Sequence, residues 1–426
     1  MGDVALTRLV HQVSQVGLGD ETSFAGGVLT VSAGEARGLL ADPALAEVRL
    51  SWASPGQSVR IVKVLDAVEP RTKGPGGGGI FPGLVGPARP QGSGQTHVLR
   101  GAAVVTAGYL PRAQEGLVDL SGPVAALSPL GATHNLVVEF TPAPGAEWGL
   151  VDSALRRGSL RLAARLAEAA LEAEPDQVEE LASPSSPARD RQARPNGQLP
   201  RVGVVTNLQT QGTFKDVFVY GRSFASALPT LLDPGELDDG AVVSGQFGHP
   251  ALKNPTFMHQ NHPVVNHLRA RHGQDLSFAG VVICPEPVDQ ANKELVSAFA
   301  ARLCAAAGFD AAIVTKEGGG NADADIALKM DALSDLGIEA VGLFGEMAGI
   351  DGTGPSIVVA PERATAMVST GNYDERITLP AVERAYGGDE FALLKAPATA
   401  SLEVPTAVVY CALSPLGWGH LTTQAG

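Results

Sequence analysis

The chain has 426 residues, 44% of them apolar and 18% charged, with a formal net charge of −14. That composition excludes a disordered chain and supplies core material for two or three domains. The acidic balance excludes a generic nucleic-acid or anionic-membrane partner, because both need a cationic face.

The first residues, MGDVALTRLVHQ, show no basic segment followed by an apolar one, and no run of about 18 apolar residues occurs anywhere. Neither a signal peptide nor a membrane span is expected. Cys284, Cys304 and Cys411 stand far apart, with no CxxC and no zinc spacing. An odd set of scattered cysteines fits a reducing compartment, and a cytoplasmic location is expected.

Residues 1–146 read as a β-rich domain. Strands are expected at 27–31, 47–52, 59–65, 96–99, 102–106 and 135–140, from apolar runs or polar–apolar alternation between Gly/Pro turns. Many short strands of this kind predict a barrel or sandwich. Residues 147–181 form a helical segment. Its strongest stretch is 160–172, with Ser159 as the expected N-cap. Residues 182–200 are small, polar or proline, as in a linker. Residues 201–426 alternate strand and helix. Strands are expected at 202–206, 217–220, 280–284, 311–315, 340–344 and 357–359, with helices at 290–307 and 323–336. The predicted fold class is therefore α/β and β multidomain: an N-terminal β-rich, barrel- or sandwich-like domain and a C-terminal doubly wound, mostly parallel α/β domain. Ligands in such a sheet bind at the carboxyl ends of the strands.

Four stretches carry residues suited to chemistry. Thr315-Lys316-Glu317-Gly318-Gly319-Gly320-Asn321 joins a strand to a helix, where glycines let backbone N–H groups approach an anion. It reads equally as a plain turn capped by Asn321 or Asp323. Glu346 opens an acidic loop with Asp351 at another strand end, fit for acid–base or cation-binding work or for simple solvation. His249, His259, His262, His267 and His272 crowd into one region. His249, His259 and His262 could hold a divalent metal ion, with His259 and His262 on one helical face; capping and surface roles are the alternative. The stretch Asp239–His262 contains a turn, a short strand at 241–243, and Ser244-Gly245 ahead of this histidine loop. No Ser-His-Asp arrangement or GxSxG elbow is present.

Several further stretches belong together: Arg60-Ile-Val-Lys-Val-Leu-Asp-Ala-Val-Glu-Pro-Arg71, Gly79-Ile-Phe-Pro-Gly83, Gly92-Ser-Gly, Leu99-Arg-Gly-Ala-Ala-Val-Val-Thr106, Gln114-Glu-Gly-Leu-Val-Asp119, Leu208-Gln-Thr-Gln-Gly212, Asp239-Gly-Ala-Val-Val-Ser-Gly245, Lys253-Asn-Pro-Thr256 and Arg271-His-Gly273. With Glu317-Gly, Gly320-Asn321, Asp323, Asp325 and Ala348-Gly-x-Asp-Gly352, they resemble the proprotein of component B of glycine/sarcosine/betaine reductase, related to the D-proline reductase proprotein. The likeness spans nearly the whole chain in order. It implies a proprotein that cuts itself in its second half, turning a cysteine into a pyruvoyl group. It also implies a Schiff base with the substrate amine and attack on the α-carbon by the thiol or selenol of a partner subunit.

The chain departs from that pattern at the processing position. The family has Ser-Gly-Asn-Cys and a second cysteine before Lys-Asn-Pro; here Gln246 replaces the asparagine, Phe247 the first cysteine and Ala251 the second. A phenyl ring cannot pass through a thioester or eliminate sulfur, so a cysteine-derived pyruvoyl is excluded at Phe247. Three readings stay open. Ser244 is an alternative pyruvoyl precursor, though a disfavoured one. The loop is rebuilt as a metal or polar substrate site, since His249 and His262 depart from the pattern while His259 matches it. Or the chain is a pyruvoyl-free partner, catalytic or scaffolding, of a subunit bearing the reactive Cys or Sec.

The residues expected to carry chemistry are Ser244, Gln246, the Phe247 position, His249, Glu317 and Glu346. Gln209, Gln211, Asn254, His259 and Asn321 are expected to bind substrate, and His249, His259 and His262 any divalent metal. No other cofactor is expected. The implied assembly is a hetero-oligomer with a Cys- or Sec-containing reductase component B subunit, acting on a small amine or amino acid, with no nucleic acid and no membrane.

Overall fold

A computed structural model describes residues 4–111, 113–184, 199–210, 217–245, 248–363 and 366–418. Gln211, Gln246, Phe247 and most of the expected linker at 182–200 lie outside the described residues.

In the first half, every expected strand is present, but the sheets are open. One sheet runs Gln177–Ala182, Val4–Gln12, Gly94–Arg100, Arg71–Lys73; a second runs Leu45–Ala53, His134–Pro142, Ala102–Ala107, Val64–Val68. No barrel closes among the described residues. The expected strand at 59–65 is really two, Val59–Val62 and Val64–Val68, in different sheets. Lys63 between them has φ 55°, a left-handed conformation that turns the chain from one sheet to the next.

The helix expected at 160–172 runs instead over Trp148–Glu168. Ser159 is not its cap but lies inside it, buried, with its hydroxyl 2.9 Å from Thr106 Oγ1. The apolar stripe continues upstream through Val151, Ala154 and Leu155, so burial carries the helix back beyond the serine. Its face of Leu160, Ala163, Ala164 and Ala167 packs with Leu99, Val104, Leu136 and Val138 of the sheets. A short helix, Ala33–Leu40, crosses it where Gly158 removes a side chain; a Cβ there would stand 3.0 Å from Leu40 Cδ2. The end of the expected helical segment is corrected too: Gln177–Ala182 is a strand, paired antiparallel with Val4–Gln12.

The second half contains one large sheet in the order Thr230–Leu232, Ser277–Glu286, Arg201–Gln209, Ala311–Thr315, Glu339–Glu346, Ala366–Asn372. All neighbours are parallel except the Thr230–Leu232 edge. Alternate residues bury opposite faces. Val205, Val282 and Val314 pack with the helices Gln290–Ala306 and Asn321–Asp335, whereas Val204, Val281 and Ile283 pack with Val265 and Leu268 of the helix Pro263–Arg271. Residues 357–359, expected as a strand, form a loop in which Val358 is 69% exposed. The run is too short to reach the sheet, and the fifth parallel strand comes later, at Ala366–Asn372.

Among the parallel strands, in chain order, the arrangement is 2-1-3-4-5. The chain first winds to one side of Arg201–Gln209 and then crosses to Ala311–Thr315 on the other. The winding thus reverses between the carboxyl ends of these two strands, the place where doubly wound sheets carry a ligand crevice.

The two halves share buried charge. Asp238 receives Arg8, Arg71 and Arg269 at 3.2, 3.3 and 2.9 Å. Burial alone would push its carboxyl up, but these arginines more than offset that and hold it low. The chain also returns to the first half after Asn372. Arg384–Tyr386 pairs parallel with Val59–Val62, and fully buried Arg60 binds Asp119 at 2.6 Å and the carbonyls of Pro380, Ala398 and Ala400 at 2.7–2.9 Å. Removing one partner strands the other charge without solvent. Arg60→Ala or Asp119→Ala is therefore expected to cost about 3–5 kcal/mol, seen as a lower denaturant midpoint; a shift of under about 1 kcal/mol would contradict the assignment.

Candidate substrate site at the switch of the parallel sheet

Glu317 is the hub of the crevice. It follows the Ala311–Thr315 strand and is fully buried. One carboxylate oxygen accepts the Asn254 N–H at 2.9 Å and the other the Gln209 N–H at 2.8 Å. Its own N–H donates to Glu286 Oε1 at 3.1 Å. Through its side chain and its N–H, this one residue ties together the ends of three parallel strands and the turn at 250–254. Burial pushes its carboxyl up to about 8, against the two backbone donors and the charge of Lys253. Burial likewise pushes Glu286 well above the usual range, helped by Asp325 and Glu317.

Around this hub lie polar atoms with no hydrogen-bond partner among the described residues. They are Asn207 Oδ1, Gln209 Oε1, Asn254 Nδ2, His259 Nε2, Glu286 Oε2 and, in the neighbouring segment, Ser244 Oγ. Each belongs to a buried residue. Buried polar groups are nearly always paired, so a concentration of unpaired ones makes this the candidate ligand site. Asn207 is fixed in orientation, because its Nδ2 donates to the Thr315 carbonyl at 2.9 Å. Asn254 Oδ1 accepts from Ser414 at 2.6 Å. His259 Nε2 stands 3.9 Å from Glu317 Oε1, too long for a hydrogen bond. Burial, with Lys253 near by, holds His259 down to about 3, so the contact is no ion pair.

The Asp239–His262 stretch wraps the other side. Val242–Val243 is a strand, and Ser244 and Gly245 follow it. The Ser244 N–H donates to Thr256 Oγ1 at 3.0 Å, while Thr256 donates to Asp66 at 2.8 Å. The carbonyls of Ser244 and Gly245 accept from Arg156 and Lys253. Arg156 is itself anchored by Asp152 at 2.6 Å and lies over the Phe218 ring. Burial lowers the Lys253 ammonium, opposed by Asp66 and Glu317. Backbone immediately before position 246 is therefore held on both carbonyls by cations that the fold itself supplies.

The expected residues separate into two groups. Gln209, Asn254, His259 and Glu317 come together, and Ser244 is linked to them through Thr256 and Lys253. Of the other expected residues, those within the described part of the chain stand elsewhere. Asn321 begins its helix, exposed, with Nδ2 3.4 Å from the Val288 carbonyl, and neither it nor Asp323 caps that helix: the N-cap is Gly320. Asp323 sits in the first turn, where it takes Lys316 and the Val358 N–H, so the anion expected at this helix end is the protein's own carboxylate. Half-buried Glu346 ends its strand and accepts the Tyr373 N–H on its backbone carbonyl at 2.8 Å. His249, at φ 60°, pairs with the Tyr373 hydroxyl at 3.2 Å.

The histidines expected on one helical face fall on two elements. His259 lies in the helix Thr256–Gln260, and His262 caps the next one, Pro263–Arg271, accepting from Val265 N at 3.4 Å. Pro263 cannot continue the first helix, which breaks the i, i+3 relation. Among the described residues, no three His, Cys, Asp or Glu side chains gather as metal ligands. Sequence reasoning missed Glu286, Asp66, Thr256 and Lys253 as members of the site. The available signals were an acid at the end of an apolar strand, Cys284-Pro285-Glu286-Pro287, and a lone acid within Val64–Val68.

At its switch point the doubly wound sheet thus carries buried carboxyls and unpaired polar side chains, groups able to hold or move a proton. The profile of the "Glycine/sarcosine/betaine reductase component B subunits" matches residues 4–424. In Peptoclostridium acidaminophilum, the glycine reductase complex component B subunits alpha and beta are 38% identical over 97% of both chains. From the same organism, the sarcosine reductase complex component B subunit alpha is 35% identical over 88% of this chain and 87% of its own, and the betaine counterpart is 31% identical over 97% and 98%. The chain belongs to this family of reductase component B subunits. No solved structure matches it.

Because Glu317 stands at about 8 in the folded chain, above its ordinary 4.5, its stabilising contribution is complete below about pH 4.5 and is lost as pH rises through about 8. Glu317→Gln should flatten the fall in unfolding free energy between about pH 5 and pH 8. Parallel denaturation series for the two proteins would show this, and identical slopes would count against a protonated Glu317.

Proposed function

We propose that the chain is the substrate-binding subunit of a glycine/sarcosine/betaine-type reductase complex, and that it works unprocessed, without a cysteine-derived pyruvoyl group. The carrying observation is the cluster of unpaired polar atoms around Glu317 in a chain whose processing position is Phe247. Cys284, Cys304 and Cys411 are buried at other positions, so none stands in for the missing cysteine. The residues present do not suit a pyruvoyl group, and no step is assigned to one.

The chemistry left to this chain is binding, orientation and control of charge. A small amino acid or N-methylated amine would enter as its ammonium and sit in the crevice with its nitrogen toward the carboxyls. A partner subunit bearing a Cys or Sec supplies the nucleophile. Its electron pair forms the new bond to the α-carbon, and the carbon–nitrogen pair leaves with the amine, which departs neutral because it entered as a cation. Glu317, Asn254 and Gln209 fix the geometry of the attacked carbon, and Lys253 and Arg156 hold the adjoining segment rigid.

Intact-mass analysis of the purified chain is expected to give one species near 43.7 kDa, unreactive toward carbonyl reagents. Turnover should require an added thiol- or selenol-bearing partner and fall by about a hundredfold or more in Glu317→Ala. A fragment starting at residue 244 or 247 with a blocked, carbonyl-bearing N-terminus would overturn the unprocessed reading.

A further inference from the structure

We infer that Glu286 and Gln209 form a subsite for the ammonium end of the ligand, one that selects nitrogens still carrying N–H groups over quaternary ones. The inference rests on the reading of the crevice as a substrate site and assigns it a nitrogen specificity.

The two residues are partners in register at the last position of adjacent parallel strands, so their side chains leave the sheet on the same face. Glu286 Oε2 and Gln209 Oε1 are both buried without a hydrogen-bond partner. Glu286 is 0% exposed and Gln209 8%. Gly318 gives the amide its place: a Cβ there would stand 3.3 Å from Gln209 Oε1, and its φ of +66° disfavours any side chain. Gln209 Oε1 is an acceptor, and the Glu286 carboxyl, which burial keeps from ionising, becomes one when an incoming cation offsets its charge, so what the pair lacks is a cationic donor.

Charge points the same way. Lys316 is taken by Asp323, and Lys293 and Lys329 by Asp325. Lys253 donates to the Gly245 carbonyl. Among the described residues, no Lys, Arg or His nitrogen reaches ion-pair distance of Glu286, so its carboxyl has no cation there. A primary or secondary ammonium supplies that charge together with at least two N–H donors, one for each oxygen. A quaternary ammonium supplies charge alone and leaves both oxygens unpaired, a penalty of the kind that lets buried polar groups reject a ligand lacking the matching donors.

Glycine and its mono-, di- and trimethylated forms make the test. Each would be titrated calorimetrically into the full chain and into Glu286→Gln, with the melting temperature of the variant as a check on folding. In the unmodified chain, affinity is expected to hold from glycine to N-methylglycine and to drop by about tenfold or more by the trimethyl form. Glu286→Gln should weaken glycine by about tenfold or more and the trimethyl form by a smaller factor, since the latter loses the charge but no hydrogen bond. Equal affinity across the four compounds in the unmodified chain, or unchanged glycine binding in a folded Glu286→Gln, overturns the subsite while leaving the crevice as the substrate site. If none of the four binds, the substrate-site reading fails and the subsite with it.

Discussion

The double acceptance of backbone N–H groups by Glu317 is the contact on which the rest of the site depends. Two donors from different segments, at Gln209 and Asn254, converge on one buried carboxyl. Lose it, and the end of the Arg201–Gln209 strand is no longer tied to the 250–254 turn. The surrounding polar atoms exist as a group only because this side chain sets the spacing between the elements that carry them. The arrangement is costly. Two buried carboxyls in contact through a backbone amide both resist ionisation, and folding alone gives no reason to place them there.

The segment before position 246 fits the same logic. At the position where the resemblance implies chain cleavage, the fold holds the segment by Arg156 on Ser244, Lys253 on Gly245, and Thr256 with Asp66 beneath them. What it lacks is the cysteine. In the proposed function, the segment held up to Gly245 serves as a wall of the site, and the chemical burden falls on the carboxyls and on a partner's nucleophile.

How much of this could be read from the residues differs from element to element. Val202–Thr206 and Gly280–Cys284 were recognisable as buried parallel strands because continuous apolar runs have few other uses. Ser159 misled because a serine before a helical run is usually a cap, while here its hydroxyl serves Thr106 across the core. Residues 357–359 misled because three apolar residues after a glycine-rich loop suggest a strand whatever they pack against. His259 and His262 suggested one helical face, and Pro263 alone was the warning against it. Glu317, Gln209 and Asn254 were legible through the resemblance. Glu286 was not, since nothing local marks a carboxyl as partnerless.

By itself, the sequence determined the family, the doubly wound half and the loss of the processing cysteine, because each follows from residue type and order along the chain. Tertiary structure alone decided which polar groups meet. The crossing of the chain from one side of Arg201–Gln209 to the other brings Gln209, Glu286 and Glu317, separated by up to 108 residues, to one crevice. Whether a buried polar atom is satisfied depends on partners distant in sequence, and that accounting closes only in the folded chain.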